Sequence, residues 1–358
     1  VYIQYRAERC AHTSKGVEGC SLCLEGCPAG ALRSENGGIV VQAELCHGCG
    51  LCASRCPTGA IRYDYPSLNG VLTACLEALH ASSNAPDLTL RIAGEGTEDL
   101  TAAEGVRDLV LPSVASFGPE LWLSLLAMGW ARVVLETGTL PPSTQTLLRE
   151  QIRHWNSLLD TPRILEARDA GELAGSAPAR TLMALPETYR TWPGDKRRLI
   201  SQSLARLLER GEDFVSRPAG FPLGRVAIHA ETCTQCRACA QVCPTDALAE
   251  TEDPVGLQFT ATTCAQCGIC EAACPEQAIR LEPGLDMNPD RRDTPQTLFE
   301  VNMARCTRCG APIMAAGVIE SLRRKLGDDA AVNLEVLKLC NECRVDEMFG
   351  FPAREPDD

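Results

Sequence analysis

The chain has 358 residues, 45% of them apolar and 23% charged, a globular composition that excludes wholesale disorder. Its formal net charge of −13 argues against a protein that tracks nucleic-acid phosphates. Against only 4% aromatic residues stand 21 cysteines, and these fall in tight groups rather than as the scattered staples of a small secreted protein.

Residues 1–66 hold the first two cysteine groups. Cys20-x2-Cys23-x3-Cys27-Pro28 is preceded by Glu18 where a fourth cysteine would be regular, and the nearest candidate upstream is Cys10. A nine-residue spacer with glycines at 16 and 19 can bulge out at little entropic cost, so Cys10 is read as a ligand. The alternative leaves Cys10 free. Gly38 to Val41 reads as a short strand, and Cys46-x2-Cys49-x2-Cys52-x3-Cys56-Pro57 follows. His47 falls inside this second group and reads as an exposed side chain.

From Leu76 to Thr232 there are no cysteines, and residues 67–223 read as an α/β domain with a parallel sheet. Cys75 sits on an apolar stretch as a buried helix cysteine. Asp108 to Pro112, Ala131 to Leu135 and Arg163 to Leu165 are the predicted strands. Gly118 to Gly129, a segment opening at Pro141-Pro142-Ser143 with an apolar stripe of Leu148, Ile152, Trp155 and Leu159, and Arg197 to Arg210 are the predicted helices. No glycine-rich phosphate loop is present, and Gly94-Glu95-Gly96 is too little for a nucleotide site. His154 and His229 have no partners at metal-ligand spacing.

Residues 224–284 repeat the first pattern as Cys233-x2-Cys236-x2-Cys239-x3-Cys243-Pro244 and Cys264-x2-Cys267-x2-Cys270-x3-Cys274-Pro275. An alanine and a bulky aliphatic recur after each of the four prolines, as Ala31-Leu32, Ala60-Ile61, Ala247-Leu248 and Ala278-Ile279, and are expected to pack over the sites. In residues 285–358, Cys306-x2-Cys309 and Cys340-x2-Cys343 form two knuckles about a helix at 314–326, with Gly327 as its stop. Paired knuckles with four thiolates suit a closed structural zinc site, with a mononuclear iron as the alternative. A nucleic-acid-binding ribbon is disfavoured because residues 225–358 carry 13 basic and 22 acidic side chains.

The Cys-x2-Cys-x2-Cys-x3-Cys-Pro run is the iron–sulfur signature of bacterial ferredoxins, and soft thiolates select that chemistry over hard cations. The sequence therefore resembles the bacterial 2[4Fe–4S] ferredoxin family in two copies. By the crossed ligation of that family, the resemblance implies four [4Fe–4S] clusters. Cluster one would take Cys10, Cys20, Cys23 and Cys56, or three irons if Cys10 is free; cluster two would take Cys46, Cys49, Cys52 and Cys27. Cluster three would take Cys233, Cys236, Cys239 and Cys274, and cluster four Cys264, Cys267, Cys270 and Cys243. The expected fold class is α+β multidomain: two ferredoxin-like dicluster domains flanking an α/β insert, plus a C-terminal four-cysteine metal module.

Leu109 to Gly138 resembles the delta subunit of methyl-viologen-reducing hydrogenases. That family carries cysteines after both strands, where this chain has Ser113 and Thr137-Gly138, so the insert reads as a scaffold. The widened first motif and Arg305 to Gly310 with Lys338-Leu339-Cys340 are similar to multi-cluster ferredoxins found alongside molybdenum or tungsten formate dehydrogenases. This likeness implies an electron-transfer subunit without a catalytic residue, serving such an enzyme or a related hydrogenase or heterodisulfide-reductase complex. The rivals are a cluster-assembly factor and a flavin-binding subunit. The richest apolar run, Leu121 to Trp130, is too short to span a membrane. No charged-then-apolar leader follows Val1, so the expected location is cytoplasmic.

Overall fold

The computed structural model describes residues 3–82, 88–97, 104–167, 194–252, 255–326 and 334–349. Two similar units, each built around a pair of cysteine groups, lean on a central parallel sheet. In the first unit Ile3–Tyr5 pairs antiparallel with Ile61–Tyr63, and Leu32–Glu35 with Gly38–Val41. Asn36 and Gly37, both at positive φ, make the tight turn of that second hairpin. Two short helices, Leu22–Gly26 and Leu51–Arg55, pack together between the strand pairs, each carrying a cysteine inward.

The second unit repeats this plan with Gly224–Ile228 against Ile279–Asp286 and Leu248–Glu252 against Val255–Phe259. Its helices, Ala238–Gln241 and Ile269–Ala272, are shorter still. Each sheet gains a third strand from outside the repeat. Phe214–Ser216 joins the first and Gln296–Glu300 joins the second. Residues 296–300 lie in the span expected for the C-terminal module, yet their backbone hydrogen bonds go to the second repeat.

The central sheet has four parallel strands in the spatial order Ile164–Ala167, Arg132–Glu136, Thr89–Gly94, Val106–Leu111. Three of these were expected, and Thr89–Gly94 was not. Every residue of that strand is buried, but Arg91 interrupts its apolar run. The arginine reaches Asp108 on the adjacent strand, with Nε 2.5 Å from Oδ1 and Nη2 2.9 Å from Oδ2.

Pro119–Met128 is apolar around its circumference and is buried at all ten positions, as such a helix must be. It is packed by Leu68–Ala81 and by Lys196–Leu207. Trp122, Trp130 and Trp155 fill the core, which runs on without a break to Leu51 of the first repeat and Leu285 of the second. Of the predicted stripe on Pro142–Asn156, Leu148, Ile152 and Trp155 are buried.

Ligand crevices of open parallel sheets form at the carboxyl edge of the strands. Here the first repeat sits on that edge. The turn Val114–Ser116, which follows Val106–Leu111, lies against Gly50, where an added Cβ would come 2.4 Å from the Ser116 Cα. Gly50 also has φ 75°, so both space and backbone conformation call for glycine. Ser113 caps this turn by accepting from the Ala115 N–H, and the Thr137 hydroxyl donates to Glu166, so both positions serve the local backbone and side-chain structure.

The C-terminal module begins with the hairpin Met303–Arg305 and Pro312–Ala315 and continues into the helices Ala316–Leu326 and Asn341–Phe349. The expected stop at Gly327 lies outside the described residues. Among the described residues no helix is long and apolar enough to cross a membrane.

Candidate metal centres

The widened first motif is a folded hairpin. Thr13–Ser14 pairs with Val17–Glu18 around Lys15 and Gly16, both at positive φ. The ladder continues toward the cysteines, since Gly19 N–H donates to His12 O at 2.7 Å and Cys20 N–H to Ala11 O at 2.8 Å. His12 is buried, with Nδ1 2.9 Å from Cys20 O and Nε2 2.7 Å from the Ser34 hydroxyl. The nine-residue spacer thus returns Cys10 to the side of Cys20.

Cys10, Cys20, Cys23 and Cys56 line a single small cavity, closed by Ala60 and Ile61. Cys233, Cys236, Cys239 and Cys274 line another, with Phe299 from the added strand in its wall. In each, three cysteines come from one group and the fourth from the group paired with it. The remaining cysteines gather in the same manner. Cys52 lies within electrostatic reach of Cys49, Cys27 and Cys46, and Cys270 of Cys264, Cys267 and Cys243.

Burial pushes the thiols of Cys20, Cys23 and Cys239 up to about 12 and that of Cys267 to about 11, with neighbouring sulfurs adding to the effect. Protonated, crowded sulfurs of this kind become good ligands once a metal displaces their protons. Backbone N–H groups also aim at them. The fourth cysteine of each group accepts from a residue four or five further on: Ala31 to Cys27 at 3.2 Å, Ile61 to Cys56 at 3.5 Å, Leu248 to Cys243 at 3.5 Å and Ala278 to Cys274 at 3.3 Å. These donors belong to the recurring alanine–aliphatic pairs, all eight of which are buried. Thiolates in fours, N–H donors to sulfur and an apolar lid are the features by which a protein holds and tunes an iron–sulfur cluster, so the donor set fits that group.

Two adjacent cations, which no spacing in the sequence singled out, tie the repeats to the central domain. Lys196 Nζ donates to Ala53 O at 3.0 Å and Ser54 O at 2.9 Å in the first repeat, and lies 3.0 Å from Glu120 Oε2. Arg197 donates to Thr262 O at 2.9 Å, to Pro222 O at 2.7 Å and to Cys264 O at the second repeat. Asp195 caps the helix that carries both by accepting from the Arg198 N–H.

Cys306, Cys309, Cys340 and Cys343 bring their sulfurs within 4.8 Å of one another and can hold a metal ion. The module's small core consists largely of these cysteines with Leu339, Ala311 and Ile313. Burial opposes ionisation of Cys306, but backbone N–H groups of Cys340, Cys309 and Arg308 more than offset it and bring its thiol down to about 6. Cys306 is thereby more acidic than Cys343, whose thiol burial pushes up to about 12. The first divalent ion titrated into metal-free protein at this site is expected to release fewer protons at pH 7 than at pH 5, and replacing all four cysteines by serine removes that difference. Calorimetry in buffers of different ionisation enthalpy reads this directly.

The other sequence candidates take no part in these sites. His47 and His229 are exposed, and Cys75 is buried in Leu68–Ala81 with its thiol pushed up to about 12 by burial. His154 packs its ring on Phe221.

Comparison with known proteins agrees with the site geometry. A 4Fe–4S binding domain matches residues 39–62, and two 4Fe–4S dicluster domains match residues 232–279 and 263–315. These spans contain the three regular Cys-x2-Cys-x2-Cys-x3-Cys-Pro runs. The chain is thus an iron–sulfur protein with ferredoxin-type domains, a class whose chemistry is electron transfer. No curated protein matches it.

Proposed function

We propose that the protein is a one-electron relay holding four [4Fe–4S] clusters, with the ligand sets that crossed ligation implies, Cys10 included. When bound, each cluster takes up and passes on a single electron at a potential set by its surroundings. The observation that carries this reading is the cavity ringed by Cys10, Cys20, Cys23 and Cys56, where two cysteine groups and a folded hairpin converge on one space. The chain's own residues do the rest. Buried aliphatics exclude water, backbone N–H groups favour negative charge on the sulfurs, and Lys196 and Arg197 fix both repeats on one scaffold.

The four-cysteine site at 306–343 is read as a structural zinc site, since a closed cage of thiolates leaves no open position for substrate. The partner is a redox protein of the molybdenum or tungsten formate dehydrogenase type, a reading that rests on the sequence resemblance. The acidic C-terminal half favours a basic docking face on that partner.

Anaerobic reductive titration tests the relay. Uptake of about four electrons per chain, in one-electron steps and with no flavin absorbance, is the expected result. Clusters that transfer readily to an apo-acceptor would favour an assembly factor instead.

A further inference from the structure

The spacer between Cys10 and Cys20 departs from the regular spacing of the other three groups, and the structure gives that departure a use. Its second strand, Val17–Glu18, packs against the short helix Ile269–Ala272 of the second repeat. At Gly19 the approach is so close that an added Cβ would stand 2.6 Å from Ile269 Cγ1 and 2.7 Å from Ile269 Cδ1. Gly19 is not at positive φ, so the close approach is what excludes a side chain there. Ile269 has no solvent exposure and lies between Cys267 and Cys270. Gly19 in turn immediately precedes Cys20. His12 and the two ladder bonds at Gly19 and Cys20 hold the hairpin stiff, so the contact is transmitted to the cysteines on both sides.

We propose that this hairpin is the coupling element between the two halves of the relay, seating the site of Cys10, Cys20, Cys23 and Cys56 against that of Cys264, Cys267, Cys270 and Cys243. The inference rests on the relay reading above and adds an order to it. Within the first repeat Cys23 and Cys52 are in electrostatic reach, and within the second Cys239 and Cys270 are. Cys20 and Cys267 are in reach across the junction. The four sites then form one line, with the sets of Cys46 and Cys233 at its ends. Clusters held by those two cysteine sets would exchange a single electron across Gly19–Ile269, one being oxidised by one as the other is reduced by one, with no bond made or broken. A one-electron donor protein supplies it at one end and a one-electron acceptor takes it at the other.

The test uses the full-length, cluster-loaded chain with Ile269→Phe, which wedges the hairpin from the helix without touching a ligand. Ala238→Val, at the matching position between Cys236 and Cys239, is the control. Iron content is measured first, and absence of iron–sulfur clusters from the unmodified protein would defeat the relay reading itself. The readout is the low-temperature spin relaxation of the dithionite-reduced protein, which is sensitive to the distance between paramagnetic neighbours. Ile269→Phe with full iron is expected to lower the half-saturation power of the first-repeat signal several-fold, while Ala238→Val leaves it unchanged. If Ile269→Phe instead loses the iron of the adjacent site, the same first-repeat signal must still relax more slowly than in the parent, with only its neighbour inside the first repeat left to speed it. An unchanged signal in either case, or an equal change in Ala238→Val, overturns the junction.

Discussion

Lys196→Met is expected to destabilise the protein by about 3–5 kcal/mol, the cost of breaking a buried ion pair from one side. The ammonium and the Glu120 carboxylate are both buried, and the lysine also serves two carbonyls of the first repeat. Its loss leaves the buried Glu120 carboxyl without its cation, and among the described residues the Gly118 N–H at 3.2 Å is the remaining hydrogen-bond donor to its Oε1. Glu120→Gln together with Lys196→Met removes both charges and is expected to recover part of the loss. Anaerobic chemical denaturation reads the effect. A single variant within about 1 kcal/mol of the parent would show that the pair does not hold the first repeat in place.

Arg197→Met is expected to act on stability and on redox potential together. Three carbonyls lose their donor, at about 1–3 kcal/mol for each group left buried and unsatisfied. Burial already lowers the pKa of the guanidinium, with Cys264 and Asp195 working the other way. A cation beside Cys264 favours the more negative, reduced state of whatever that cysteine holds. Removing it should lower the potential of the Cys264 site more than that of the other three. Arg197→Lys keeps the charge but not the three-way fork, so it should restore potential better than stability. Potentiometric titration followed by electron spin resonance separates the two. Equal potentials in all three proteins would contradict the assignment.

Much of this architecture was legible in the cysteine spacing, because a cluster cage demands fixed offsets that few other structures share. The recurring alanine–aliphatic pairs also announced their role, and they prove to be both the apolar lid and the source of N–H donors to sulfur. The parallel sheet showed itself through apolar runs, except at Thr89–Gly94, where a buried arginine broke the pattern for the sake of its pair with Asp108. Lys196 and Arg197 were hidden for a related reason. A Lys-Arg-Arg run at a helix start looks solvated, and only tertiary packing shows that its first two members are buried among carbonyls. The spacer at 11–19 looked like an accommodating loop. Nothing local to it says that His12 staples it or that Gly19 meets a side chain 250 residues away in sequence.

The most direct test of the relay is the iron, acid-labile sulfide and zinc content of anaerobically purified protein. The ligand sets call for about sixteen iron, sixteen sulfide and one zinc per chain. About fifteen iron would mean that Cys10 binds no metal despite lining its cavity. Little iron with several zinc ions in its place would contradict the relay altogether.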